Sequence, residues 1–111
     1  MGISTLPNYE NAVIPIEKLT HYALNVAHPV GKHKAKLFNS VFGWTDADAL
    51  FVAQIILAAL SNNDAELTKQ NEYGDFYTVS FLYTNNIGTA NILTAWIVQD
   101  DIPRLITCYI F

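Results

Sequence analysis

The spacing of apolar residues changes once along this 111-residue chain, at Ser61-Asn62-Asn63, and that change constrains the fold more than any other feature. Before it, apolar side chains recur at intervals of three and four, as on a helix with one packed face. After it they alternate with polar ones, as on a strand with one packed face. Residues 1–14 read as an irregular lead-in. Pro15 suits the first position of a helix, where its missing N–H is not needed, and Ile16, Leu19, Ala23 and Val26 mark a helix over about 15–27. His28-Pro29-Val30-Gly31 interrupts it, because the residue before a proline disfavours helical angles and Gly31 is free to turn. A second helix over about 32–42 is expected to bury Ala35, Leu37, Phe38, Val41 and Phe42 and to stop at Gly43. Thr45 and Asp48 have capping-box spacing, with Asp in place of the usual Glu or Gln, and open a third helix over about 46–60. That helix has almost no polar face, so it is either central or packed on a second chain.

Beyond residue 63, segments at about 65–70, 76–83, 89–98 and 104–110 read as strands, separated by Asn71-Glu72-Tyr73-Gly74, Asn85-Asn86-Ile87-Gly88 and Asp100-Asp101-Ile102-Pro103. The expectation is one α+β domain over 1–111, with about three N-terminal helices (about 15–60) packed on a C-terminal antiparallel sheet of three or four strands (about 65–110). The 51% hydrophobic and 14% charged content suits a single packed core. No apolar run approaches the ~20 residues of a membrane span, and the N-terminus lacks the basic-then-apolar pattern of a signal peptide. A cytoplasmic protein with no membrane partner is therefore expected. Cys108 is the sole cysteine, which excludes an internal disulfide, and alternation along its strand makes it a buried small side chain.

The net charge of -4 conceals a strong polarity. Residues 1–17 carry -2, residues 18–45 carry +4 together with all three histidines, and residues 46–111 carry -6. A basic island thus sits on an acidic body, either as a solvated lysine face or as an anion site. Lys32 and Lys36 lie four residues apart on one side of their helix, and Lys34 points elsewhere.

His28-Pro29-Val30-Gly31 followed by Lys34-Ala35 and Phe38 resembles the HPxGxxKA motif of a small uncharacterised bacterial domain family. Leu6-Pro7-Asn8 through Lys18-Leu19 resembles its entry segment. Thr94-Ala95-Trp96-Ile97 and Pro103-Arg104-Leu105-Ile106-Thr107-Cys108-Tyr109 resemble its closing strands, so the likeness covers about residues 6–110. Such domains occur alone and attached to phage head-morphogenesis and polymorphic-toxin proteins. The resemblance implies kinship with barnase, EndoU, colicin and RelE-like ribonucleases, RNA as a partner, and a neutralising immunity or antitoxin protein.

The same residues also carry a chemical reading. Metal-independent RNA cleavage needs a base for the 2′-hydroxyl, an acid for the leaving 5′-oxygen, and cations for the charge that develops on the phosphate. His28, Lys34 and Arg104 are the catalytic candidates: an imidazole that titrates near neutrality, a compact point charge, and a fork that grips phosphate oxygens. Lys32, Trp96, Thr107 and Tyr109 are the substrate-binding candidates, Trp96 as a base-stacking ring and the two hydroxyls on one face of the last strand. Structural alternatives stand beside each. His28 can simply end a helix, Trp96 can be core, and Arg104 can pair with Asp100 or Asp101. His21 and His33 are assigned no role. Asp46 with Asp48 and Asp100 with Asp101 sit where caps and turns favour Asp. No metal motif, glycine-rich phosphate loop or nucleophile elbow is present in the sequence, so no cofactor is expected. If the cations scatter instead of converging, the alternative is a non-catalytic interaction module, or a homodimer through the apolar helix at 46–60.

Overall fold

The computed structural model describes residues 4–27 and 32–111. Two α-helices, α1 (Lys32–Phe42) and α2 (Ala49–Ala59), precede four strands, β1 (Ala65–Asn71), β2 (Gly74–Thr84), β3 (Thr89–Gln99) and β4 (Ile102–Ile110). The strands form one antiparallel meander in the order β1-β2-β3-β4, with the helices on one face. This is the expected α+β arrangement, with four strands.

The region expected to be the first helix differs. A shorter helix forms over residues 17–23, with Glu17 and Lys18 α-helical and Leu19–Ala23 a π-helical turn, in which the Leu24 N–H donates to the Leu19 carbonyl five residues back. The Thr20 hydroxyl also donates to the Ile16 carbonyl. A wider turn moves the packed stripe by one residue. Leu19, Ala23 and Leu24 are buried, while Ile16 and Val26, expected on the inner face, are exposed.

In α1, Ala35, Phe38 and Phe42 are buried as the spacing requires and Val41 partly so, but Leu37 lies outside, 47% exposed. Gly43 ends this helix at φ 75, a conformation that disfavours a β-carbon. The hairpin loop between β2 and β3 clamps this end, since Asn85 Nδ2 donates to the Phe42 carbonyl at 3.0 Å. Phe38, Phe42, Trp44 and Tyr83 stack beneath it with ring centroids 4.6–5.8 Å apart.

The Thr45–Asp48 capping box is present, the Thr45 N–H donating to Asp48 at 2.9 Å. It opens a short 3-10 turn that runs into α2. The inner face of α2 buries Ala49, Val52 and Ile56, while Leu50, Phe51 and Leu57 are 72%, 54% and 38% exposed. The helix is therefore packed on one side and bare on the other. Among the described residues, no single helix is long and apolar enough to cross a membrane.

Register assigns the paired strand residues to faces. Val79 and Phe81 of β2, Ile92, Thr94 and Trp96 of β3, and Leu105 and Cys108 of β4 point to the helices and are buried. Among the described residues, no helix lies on the opposite face of the sheet. Asp100 and Asp101 form the tight β3–β4 turn at φ 50 and 63, the paired left-handed conformation that matches strand twist in a two-residue hairpin. The acidic pair is thus structural, as expected.

Candidate functional site

The uncovered face of β3 and β4 holds three of the candidate residues in one line. Pairing of Leu93 with Tyr109, Ala95 with Thr107 and Ile97 with Arg104 places Tyr109, Thr107 and Arg104 on it together. A bulge at Ile106 keeps Arg104 on this face, because the register shifts between Ala95 and Trp96. Without that extra residue Arg104 would have turned toward the core.

Lys34 joins them from α1. Its Nζ lies 4.6 Å from the centre of the Tyr109 ring, held by the negative charge of the ring face. The rise of a strand separates Tyr109 from Arg104 by roughly 15 Å, so the two cations mark the ends of a track and do not surround one point. Arg104 is exposed, and no ion pair within the described residues fixes its guanidinium; the expected alternative of pairing with Asp100 or Asp101 does not form. Backbone bonds around it are complete. The Val13 N–H donates to the Pro103 carbonyl at 2.8 Å, and the Leu105 N–H to the Val13 carbonyl at 3.0 Å.

Trp96 requires a correction. It is completely buried, and its Nε1–H donates to Thr94 Oγ1 at 2.8 Å, whose hydroxyl in turn donates to the Val79 carbonyl at 2.8 Å. A ring in that position has no face for a base. Its environment is the core, where a large aromatic area and a satisfied N–H both stabilise the fold. Cys108 is also buried, and burial pushes its thiol up to about 12, against a smaller opposing effect of the Lys34 charge. It is no nucleophile at neutral pH. Lys32 is the first residue of α1. His28, with Pro29, Val30 and Gly31, lies outside the described residues.

Reading the sequence missed two residues of this face. Lys69 pairs with Phe76 across β1 and β2, with its Nζ 5.4 Å from the ring centre. The signal was present, since Lys69 and Arg104 are the only basic residues after residue 45.

A family model described as a domain of unknown function, DUF6883, matches residues 5–111. The chain belongs to the DUF6883 family. The match spans the lead-in, both helices and all four strands, so the DUF6883 domain and the folded unit coincide. No curated protein matches the chain.

Proposed function

We propose that this DUF6883 domain is a ribonuclease-like domain that binds and cleaves RNA on the uncovered face of its sheet, in the manner of small toxin or phage-associated nucleases. The observation that carries the reading is the approach of Lys34 to Tyr109, on the strand face shared by Thr107 and Arg104. In this reading Lys34 supplies the point charge at the reacting phosphate, and the Thr107 and Tyr109 hydroxyls orient its oxygens. Arg104 holds a neighbouring phosphate farther along the track. His28, four residues ahead of α1 in sequence, supplies the general base or acid. The 2′-oxygen attacks phosphorus as its proton passes to the base, and the P–O5′ bond breaks as the 5′-oxygen takes a proton. The products are a 2′,3′-cyclic phosphate and a 5′-hydroxyl.

The test is incubation with total RNA in EDTA. Wild type yields fragments with 5′-hydroxyl ends, and His28→Ala and Lys34→Ala each lower the rate by about 10²- to 10⁴-fold while keeping the wild-type circular dichroism spectrum. A folded wild type that leaves RNA intact, or cleavage unchanged in both variants, overturns the reading.

A second reading, which the separation of Lys34 from Arg104 favours because the cations do not converge on one point, rests on α2. Residues 49–63 contain no charged side chain, and the outer face of α2 exposes Leu50, Phe51 and Leu57, an uncharged apolar patch that a second copy of the chain would cover with the same patch. Light scattering after size exclusion reads a dimer for wild type and a monomer for Leu50→Lys/Leu57→Lys. A monomeric wild type at millimolar concentration sinks the dimer.

A further inference from the structure

Lys69 and Arg104, the two basic residues of the acidic C-terminal half, fall in a single row of directly paired residues. The row Lys69–Phe76–Ile97–Arg104 crosses all four strands on the uncovered face. Chance placement on either face and at any level of the sheet would scatter them. Among the strand residues of this face the one acid is Glu66, in the next row beside Thr78. The row is therefore the local cationic band of an otherwise acidic half, and its centre is an aromatic ring beside a branched aliphatic.

We propose that this row is a base-stacking subsite for single-stranded RNA, with Phe76 as the stacking ring and Lys69 and Arg104 as the cations for the phosphates on either side. The proposal rests on the reading above that the sheet face binds RNA, and it assigns to Phe76 the role that the burial of Trp96 leaves vacant. Phe76 is half-buried, so its ring is held in place by its neighbours, yet Lys69 reaches its π-face from the solvent side. A base entering on that face displaces the ammonium, which is then free to follow the backbone phosphate. Two strand spacings separate Phe76 from Arg104, roughly 10 Å, within reach of one nucleotide and its neighbouring phosphate. A flat sheet face offers nothing that enters a groove, and stacking requires an unpaired base, so the ligand is single-stranded.

The experiment measures binding of a short fluorescein-labelled 2′-O-methyl RNA, whose blocked 2′-oxygen cannot attack, to wild type, Phe76→Leu and Phe76→Trp by anisotropy at fixed salt. Phe76→Leu keeps an apolar side chain but loses the π-face, and is expected to weaken binding roughly 5- to 150-fold. Phe76→Trp is expected to retain affinity and to show quenching of the added indole on binding, since Trp44 and Trp96 are buried. Equal affinity of wild type and Phe76→Leu, absence of quenching in Phe76→Trp, or equally tight binding of a duplex of the same length overturns the subsite while leaving cleavage at Lys34 standing. No binding by wild type overturns both.

Discussion

The two faces of β3 and β4 use similar residue types to opposite ends. On the helix side, Trp96, Thr94 and Cys108 have their polar atoms either satisfied internally or silenced by burial. On the open side of β4, Thr107 and Tyr109 flank Cys108 and are half-buried, and Arg104 is exposed. Alternation separates Thr107 and Tyr109 from Cys108, and the bulge at Ile106 puts Arg104, which shares the parity of Cys108, on the open face. The comparison teaches that a polar or aromatic residue in this sheet is read by the face its register gives it before its chemistry. An interior hydroxyl serves the fold, and an exterior one is available to a ligand.

The largest expected effect is on the helix side. Trp96→Ala removes a completely buried ring from the centre of the core and is expected to cost about 3–5 kcal/mol in urea unfolding, enough to unfold a marginal domain of this size. A loss below about 1 kcal/mol would mean that the core closes around the gap and that this face tolerates change as the open one does. Thr94→Val tests the polar part separately. It keeps the shape but strands the Trp96 N–H, which has the Thr94 hydroxyl as its acceptor, at an expected cost of about 1–3 kcal/mol. Thr94→Ser, which keeps the hydroxyl, should recover most of the polar contribution. If serine and valine are equally destabilising, the Thr94 methyl and not its hydroxyl matters there.

The elements were legible because each carries its own period. α1, its Gly43 end, the Thr45–Asp48 cap and all four strands follow from spacing and turn chemistry. The π-helical turn was not legible, since a five-residue hydrogen bond leaves no compositional mark, yet it buries Leu24, one residue past Ala23, while Val26 stays exposed. Of the candidate site, the shared face of Thr107 and Tyr109 followed from alternation. The side facing the helices did not follow for β3, because Ile92 and Trp96 on one parity are matched by Leu93 and Ile97 on the other. The bulge at Ile106, which places Arg104 on the open face, depends on pairing with another strand and is invisible in β4 alone. Lys69 was hidden for the same reason, because the register of β1 shifts between Leu67 and Lys69.

The turn joining β3 to β4 belongs to neither face and calibrates both. Asp101 holds φ 63, a conformation glycine adopts without strain, so Asp101→Gly is expected to change stability by only about 0.5 kcal/mol, in the stabilising direction, without altering the proposed RNA binding. Thermal melting reads this directly. A destabilised variant would mean that the Asp101 carboxylate makes a contact stronger than the relief of its backbone.

The smallest expected effect on stability, and the sharpest test of the comparison, is at Arg104. Its backbone partner Val13 is untouched by a side-chain change, and no ion pair among the described residues holds the guanidinium. Arg104→Ala should therefore leave the urea midpoint within about 0.5 kcal/mol of wild type. The same change removes one phosphate contact from the proposed track. The slope of log affinity against log salt for single-stranded RNA should thus become shallower by about 0.7, with affinity falling alike across sequences. Stability and binding then respond independently, as they must if the register divides the sheet into a structural face and a ligand face. A drop of more than about 1 kcal/mol in stability, with an unchanged salt slope, would move Arg104 to the structural side and leave Lys34 and Lys69 as the cations of the open face.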